Sequence, residues 1–215
     1  MQSSKKWIFI ALEGVDKSGK STVWKKLKEE YGDSFVFTKE PGGSDCGKEI
    51  RRMVLELPYT DQMDETARMF LFWADRRIHM LNVIIPALDA GKIVITDRFD
   101  GSTYAYQVFK KGDEELKKHF WLSRDLTVGD YKPNLYLLFD TLPQTSIARS
   151  NKPGEKQNHY DKSKLDELEK RRDGFWEFTK HVPHEVIITE QPESQVYFEA
   201  KTIIDKYIAK RRGSE

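Results

Sequence analysis

A glycine-rich segment near the beginning of the chain carries the strongest chemical signal. Residues 14–21 follow the pattern G-x-x-x-x-G-K-S, after an apolar run and before a run with helical spacing. The glycines allow successive backbone N–H groups to face one anion, while Lys20 adds a positive charge and Ser21 offers a hydroxyl group to Mg²⁺. The segment therefore predicts a phosphate-binding loop (P-loop) for a nucleoside triphosphate. Its predicted contact residues are Gly14, Val15, Asp16, Lys17, Ser18, Gly19, Lys20, Ser21 and Thr22.

Asp97 and Arg98 stand at the carboxyl end of a second apolar run. Parallel sheets bind ligands at this end of their strands, so both side chains are expected in the same site as the P-loop. A guanidinium group is permanently charged and can clamp a phosphate through two N–H bonds. Arg98 is therefore predicted to hold an acceptor phosphate and to stabilise charge on the transferred group. A surface ion pair at the end of a strand is the alternative interpretation.

The apolar runs that must position these residues are short and lack polar alternation, as buried parallel strands do. They cover residues 7–12, 35–38, 93–96, 135–139 and 186–189. Segments with helical spacing cover residues 21–31, 47–55, 65–90, 164–180 and 194–212. Strands that alternate with helices predict an α/β fold of three layers, in which a five-stranded parallel sheet is flanked by helices on both faces. At this length, residues 1–215 are expected to form one domain.

The composition favours a soluble, cytoplasmic protein that binds small molecules. Lys and Arg number 36 against 35 Asp and Glu, so the net charge of +1 gives no general attraction to nucleic acid or to an anionic membrane. The one cysteine, Cys46, cannot form an internal disulfide, and no leader-like segment precedes the first apolar run. The apolar stretches fall short of the roughly 20 residues that cross a bilayer. Neither nucleic acid nor a membrane is expected as a partner.

Five stretches, in order along residues 8–204, resemble those of thymidylate kinases, a family of P-loop nucleoside monophosphate kinases. They read E-G-V-D at 13–16, T-K-E-P-G-G at 38–43, L-F-W-A-D-R at 71–76, D-R-F at 97–99 followed by S-T-Y-A-Y-Q at 102–107, and L-L-F-D at 137–140. Five ordered matches are far more specific than any one of them. The resemblance implies a P-loop kinase fold and transfer of the γ-phosphoryl group of Mg·ATP to dTMP, giving ADP and dTDP for dTTP synthesis, without a covalent enzyme intermediate.

The resemblance also implies which residues bind dTMP. Phe72 and Arg76 are four residues apart, so they share one face of a helix, and the family's equivalents stack on thymine and read it. Taken alone, a helical aromatic residue such as Phe72 is more often part of the core. The other implied contacts are Arg98, Glu40, Pro41 and Arg51 around the monophosphate, Ser102 and Thr103 at the edge of the base, Tyr106 under the deoxyribose and Asp16 at the 3′-hydroxyl.

Residues 149–162 form a polar, turn-rich tract that is expected to close as a lid over ATP and to exclude water. A solvated surface loop is the alternative. Members of the family carry a catalytic arginine either in the P-loop or in the lid, and this chain departs from both patterns. The cation that stabilises the transferred group is therefore one of Lys17, Arg149, Lys152 and Lys156. The other predicted catalytic residues are Lys20, Arg98 and Asp97.

Mg²⁺ is the expected cofactor, and it should arrive with ATP. Ser21 and the phosphates are predicted to hold it, with Asp97 or Glu13 acting through water. The five histidines are scattered, and no His/Cys cluster has the spacing of a zinc site. The long helical segment at 65–90 and the habit of the family favour a two-fold homodimer.

Two other functions remain open at this point. The first is a P-loop kinase for another nucleoside monophosphate or a deoxynucleoside, and the choice depends on Phe72, Arg76, Thr103 and Tyr106. The second is a switch protein that hydrolyses a nucleoside triphosphate to change partners, which would need segments that sense the γ-phosphate. Dependence of turnover on an added monophosphate separates the kinases from the switch protein.

Overall fold

Five parallel strands form the centre of the computed structural model, which describes residues 7–57, 60, 62–109, 112–150 and 164–213. In chain order they are β1 (Phe9–Glu13), β2 (Phe35–Lys39), β3 (Ile93–Asp97), β4 (Leu135–Asp140) and β5 (His184–Ile188). Their spatial order is β2-β3-β1-β4-β5, and every neighbouring pair is parallel. The predicted five-stranded parallel sheet is confirmed. Because Leu12 pairs with Asp97, the P-loop and Arg98 leave the sheet side by side.

Helices connect the strands and cover the sheet. In chain order they are α1 (Lys20–Tyr31), α2 (Asp45–Leu55), α3 (Glu65–His79), α4 (Ile85–Asp89), α5 (Asp100–Thr103), α6 (Glu114–Val128), α7 (Pro143–Ser150), α8 (Leu165–Thr179) and α9 (Glu193–Arg212). The predicted helix at 65–90 is divided by a π-helical turn at Met80–Ile84. Pro86, in the first turn of α4, explains this division because it has no N–H to donate to the preceding turn.

The sequence analysis did not predict α5, α6 or α7. Apolar residues surround α6 instead of forming one stripe: Leu116 and Phe120 are buried, whereas Leu122 and Leu126 are exposed. This distribution blurs the helical periodicity on which the prediction depended. Helix α5 has only four residues and continues into a second π-helical turn at Tyr104–Val108, so it offers no period to detect.

Alternate strand residues point to opposite faces of the sheet, and each face has its own core. Phe9 and Ala11 pack with Met69 of α3, Phe120 of α6 and Phe178 of α8. On the other face, a second cluster joins the sheet to α1 and α9 through Ile8, Ile10, Leu12, Val23, Leu27, Ala200 and Ile204. The predicted three-layer α/β arrangement is confirmed. Within the described ranges, no helix has both the length and the apolar character needed to cross a membrane.

Candidate active site

A cavity of about 730 Å³ opens at the carboxyl end of the strands and brings most of the predicted site residues together. On the P-loop side it is lined by Asp16, Lys17, Ser18, Gly19, Lys20, Ser21 and Thr22, with Arg149 nearby. On the opposite side it is lined by Glu40, Pro41, Arg51, Phe72, Arg76, Asp97, Arg98, Ser102, Thr103 and Tyr106. Gly14, Val15 and Glu13 are buried and do not line this cavity.

The P-loop is shaped around Lys20. Gly19 adopts φ +91°, a conformation that favours glycine, and the first turn of α1 begins directly after it. The Lys20 Nζ atom is buried and donates to the carbonyl oxygens of Gly14 at 2.9 Å and Val15 at 2.8 Å, and to the hydroxyl of Ser18 at 3.0 Å. Burial, together with the positive charge of Arg98, lowers the pKa of Lys20 to about 7. A bound phosphate would add negative charge beside this lysine and favour its charged form.

Ser21 and Asp97 form a contact at the mouth of the P-loop. The Ser21 hydroxyl donates to Oδ2 of Asp97 at 2.6 Å. The other carboxylate oxygen, Oδ1, is buried, and the described residues offer it no hydrogen-bond partner. An oxygen ligand of this kind suits Mg²⁺ or a water molecule bound to it. The described part of the chain holds no cluster of three or more His, Cys, Asp or Glu side chains, so phosphate and water oxygens must complete any such coordination.

Arg98 occupies the junction between the two sides of the cavity. Its Nη1 atom donates to the carbonyl of Gly14 at 3.0 Å and to the Ser102 hydroxyl at 2.9 Å, and Nη2 donates to Oδ1 of Asp16 at 2.6 Å. The Tyr106 hydroxyl donates to the other oxygen of Asp16 at 2.8 Å. Burial alone would raise the pKa of Asp16, but the charges of Arg98 and Lys20 lower it below its ordinary value. Asp16 is therefore ionised and holds Arg98 in place.

Glu13 supports Arg98 from below the cavity. Its Oε1 atom accepts the backbone N–H groups of Phe99 at 2.9 Å and Ser102 at 3.1 Å, and Oε2 accepts the Ser102 hydroxyl at 2.6 Å. Arg98 itself adopts φ +70°, which is uncommon for a residue with a side chain. Glu13 thus binds Phe99, the residue after Arg98, and Ser102, which contacts the Arg98 side chain. This carboxylate therefore holds the turn that positions Arg98. These contacts give Glu13 a positioning role, and the water-mediated metal role considered from the sequence stays a prediction.

Arg76 lies on the opposite wall, where it is only 2% exposed. Its guanidinium group stacks between the rings of Trp73 and Phe99, at 4.6 and 5.0 Å from their centres. Nε and Nη2 both lie 2.8 Å from Oε2 of Glu40, and Nη2 also donates to the Thr103 hydroxyl at 3.1 Å. Nη1 is buried and has no hydrogen-bond partner among the described residues. A buried donor of this kind calls for a ligand that accepts a hydrogen bond.

Phe72 and the loop after β2 complete this wall. Phe72 lines the cavity and is partly exposed, whereas the adjacent Trp73 belongs to the core. In the loop, the backbone N–H of Gly42 lies 3.2 Å from Oδ2 of Asp75, whose pKa is raised to about 6 by burial and by the charge of Glu40. Arg51 donates to the carbonyl of Pro41 at 3.2 Å, so the loop is tied to both α2 and α3.

Only part of the predicted lid lies within the described residues. Arg149, near the end of α7, donates to the carbonyls of Lys17 at 3.1 Å and Thr189 at 2.8 Å. It therefore links the P-loop to the segment after β5. Lys152, Lys156 and the remainder of the predicted lid lie outside the described residues.

Gln107 and His79 are two of the residues at the site that the sequence analysis did not predict. Gln107 is buried, lines the cavity and donates to Glu65 at 3.1 Å. It stands at the end of the stretch at 102–107, in which Ser102, Thr103 and Tyr106 were given roles. His79 is fully buried one turn after Arg76 and contacts Glu40. Its three-residue spacing from Arg76 was a usable signal, because residues three apart share a helix face.

Known proteins resemble this chain over nearly its whole length. The family model described as thymidylate kinase matches residues 12–199. Thymidylate kinase of Desulfovibrio desulfuricans is 32% identical over 218 residues, which cover 96% of this chain and 98% of the relative. That of Geobacillus thermodenitrificans is 32% identical over 213 residues, which cover 95% and 92%. A crystal structure of thymidylate kinase from Ehrlichia chaffeensis has a TM-score of 0.71 at 27% identity and covers 92% of this chain and 98% of that chain. The chain therefore belongs to the thymidylate kinase family, and the predicted enzyme class, a nucleoside monophosphate kinase, is confirmed.

Proposed function

We propose that residues 1–215 form one kinase domain that transfers the γ-phosphoryl group of Mg·ATP to dTMP, giving ADP and dTDP for dTTP synthesis. The observation that carries the proposal is Arg76, which lines the cavity and keeps one buried guanidinium nitrogen, Nη1, without a hydrogen-bond partner among the described residues. An arginine only donates hydrogen bonds. It therefore selects a base that presents a carbonyl oxygen, as thymine does, against the amino group that cytosine or adenine presents there.

The two sides of the cavity suit a direct transfer between two nucleotides. The P-loop holds the triphosphate through its backbone N–H groups and Lys20, whose present contacts are weak substitutes for phosphate oxygens. Arg98 and Arg51 face the acceptor phosphate from the other side. An oxygen of that phosphate attacks the γ-phosphorus in line, and Lys20 and Arg98 stabilise the charge that spreads over the transferred group. Tyr106 and Asp16 orient the sugar of the acceptor.

Mg²⁺ is the cofactor that the donor set fits. Ser21 would hold it directly, and the buried Oδ1 of Asp97 would hold one of its water ligands. When bound, the ion neutralises the phosphates of ATP and orients them for transfer. Ser21 and Asp97 are already in contact, so the chain needs little rearrangement to accept it.

The contacts of Arg149 bear on which residue supplies the cation nearest the transferred group. Because both of its Nη atoms hold backbone carbonyls, Arg149 supports the donor side of the cleft. We assign the catalytic charge, among the described candidates, to Lys17, which lines the cavity at the P-loop position where some members of the family carry a catalytic arginine. A lysine supplies the charge of the family's arginine without its fork geometry.

The test of the proposed function is an acceptor profile measured by ADP release from Mg·ATP. We expect dTMP to give the highest kcat/KM among the nucleoside monophosphates. Arg76→Ala should lower kcat/KM for dTMP about 100-fold and Phe72→Ala about tenfold, because one loses a charged hydrogen bond and the other a stacked ring. The matched control is Phe198→Ala, since Phe198 is 71% exposed on α9 and does not line the cavity. ADP release without any acceptor, or a higher kcat/KM for dCMP, would contradict the proposal.

A homodimer and a cytoplasmic location belong to the same proposal. The single cysteine of the chain agrees with a reducing compartment. Large exposed apolar side chains lie on two packed helices: Phe70 of α3 is 55% exposed, and Leu122 and Leu126 of α6 are 68% and 83% exposed. Arg77 of α3 donates to the carbonyl of Thr127 in α6, so the two helices that carry these side chains are neighbours. An apolar patch of this kind is typical of an interface.

Charging this patch should separate the subunits. We expect the wild-type protein to sediment as a dimer and Leu122→Glu/Leu126→Glu to sediment as a monomer, because burying two unpaired carboxylates opposes association. Leu165→Glu is the control, since Leu165 is 40% exposed on α8, away from the patch. Sedimentation velocity at micromolar concentration distinguishes the two forms. A wild-type monomer, or a double variant that remains dimeric, would show that this face is not the interface.

A further inference from the structure

His79 is a buried histidine at the end of α3 that contacts both ends of the loop after β2. Its side chain has no solvent exposure. Nδ1 lies 2.9 Å from Oε1 of Glu40, and Nε2 lies 2.7 Å from the hydroxyl oxygen of Thr38 in β2. The ring also packs against Gly43, where a Cβ atom would come within 2.3 Å of Nε2. One imidazole ring thus joins a strand, a helix and the loop that lines the acceptor side of the cavity.

The direction of the hydrogen bonds follows from the chemistry of the partners. An ionised carboxylate only accepts, so Nδ1 of His79 carries the hydrogen and donates to Glu40. The other ring nitrogen of a neutral imidazole then accepts the hydroxyl hydrogen of Thr38. These positions are assigned from the network of partners. The result is a chain of hydrogen bonds that runs from Thr38 through His79 to Glu40.

Glu40 connects this chain to the base-binding wall. Its Oε1 atom is held by His79, and its Oε2 atom is held by Nε and Nη2 of Arg76. With both oxygens held, the carboxylate cannot turn about its last torsion angle, which is otherwise broad. The plane of the Arg76 guanidinium, and with it the direction of Nη1, is therefore set by a carboxylate that His79 fixes.

We propose that His79 is a positioning residue for base recognition, which fixes the carboxylate of Glu40 and thereby aims Nη1 of Arg76 at the acceptor base. The inference rests on the proposed function and adds a specificity-determining residue that does not touch the substrate. The close packing of the ring against Gly43 fits this role, because it fixes the position of the loop that carries Glu40 relative to α3.

Two amide substitutions separate the positioning role from simple packing. In His79→Asn the amide nitrogen replaces Nδ1 and can still donate to Glu40, whereas in His79→Gln the amide replaces Nε2 and reaches only toward Thr38. Asn is smaller than Gln by one methylene group, so a role in packing alone would make His79→Asn at least as damaging as His79→Gln. We expect His79→Gln to raise the KM for dTMP about tenfold and to reduce the preference for dTMP over dCMP about tenfold, while His79→Asn changes either value by less than about threefold. The KM for ATP should stay within about twofold of wild type in both.

The comparison is made by steady-state kinetics on the full chain, with thermal unfolding midpoints recorded for each variant. Equal losses in His79→Asn and His79→Gln, or a rise in the KM for ATP that matches the rise for dTMP, would overturn the proposal in favour of packing. If neither variant folds, Thr38→Val decides, since it leaves the ring in place. A KM for dTMP raised about threefold at an unchanged KM for ATP supports positioning, and an unchanged KM for dTMP overturns it. A wild-type protein that does not use dTMP would instead refute the proposed function.

Discussion

Replacing Arg98 by alanine is expected to lower kcat/KM for dTMP about 10³-fold at saturating Mg·ATP. Arg98 is the residue that touches both sides of the cavity, through Gly14 of the P-loop and Ser102 at the acceptor wall. Its loss removes the clamp on the acceptor phosphate and the charge that stabilises the transferred group. It also leaves Asp16 without the partner that holds it at 2.6 Å. Initial rates of ADP release over a range of dTMP concentrations measure the effect.

Two further variants show whether charge or geometry is responsible. Arg98→Lys keeps the charge but not the fork, so an intermediate loss of about 10²-fold is expected. Arg52→Ala serves as the matched control, because Arg52 is exposed on α2, pairs with Glu49 and does not line the cavity. A loss of less than tenfold in Arg98→Ala, or an equal loss in Arg52→Ala, would show that Arg98 does not hold the acceptor phosphate.

The meeting of the P-loop with Arg98 could be predicted from the sequence. Both follow apolar runs, and parallel strands end on the same edge of a sheet. The observed pairing of Leu12 with Asp97 confirms this expectation. The rule operates on the order of strands and helices, so it needs no knowledge of side-chain contacts. For the same reason it says nothing about what holds Arg98 once the strand has ended.

The support of Arg98 by Glu13 could not be predicted. From the sequence, Glu13 was a carboxylate beside a P-loop, and a water-mediated metal contact was a reasonable interpretation. In the structure, Glu13 accepts hydrogen bonds from the turn at Phe99 and Ser102. That turn depends on the left-handed φ of +70° at Arg98, and an arginine at this position does not predict such a conformation. Contacts that depend on such a turn can be identified only when the backbone conformation is known.

On the acceptor wall, too, the sequence predicted which residues line the cavity but not which contacts hold them. The spacing of Phe72 and Arg76 placed both on one helix face, and both line the cavity. The sequence could not show that Glu40 is shared between Arg76 and His79, because the three residues come from a loop and a helix that are far apart along the chain. Periodicity reports which face of an element is used, whereas long-range hydrogen bonds report how that face is held.

The second large effect is expected at Lys20. Lys20→Met should lower kcat/KM for ATP about 10³-fold, since the variant keeps the length of the side chain but not the charge that faces the phosphates. Lys28→Met is the control, because Lys28 lies near the end of the same helix and is exposed. Comparable losses in the two variants would exclude a specific role for Lys20.

The lowered pKa of Lys20 predicts proton uptake on ATP binding, which would not be observed if Lys20 only stabilised the fold. In the free protein burial lowers this pKa from 10.5 to about 7, so the amine titrates near neutral pH. Bound phosphates favour the charged form, so ATP binding must take up a proton above pH 7, and the Kd for ATP should rise with pH by up to about tenfold per unit. Calorimetry at pH 8 in buffers of different ionisation enthalpy would detect close to one proton taken up by wild type and none by Lys20→Met. At pH 6 the amine is already protonated, so the uptake should disappear. An uptake that persists in Lys20→Met would assign the proton to another group.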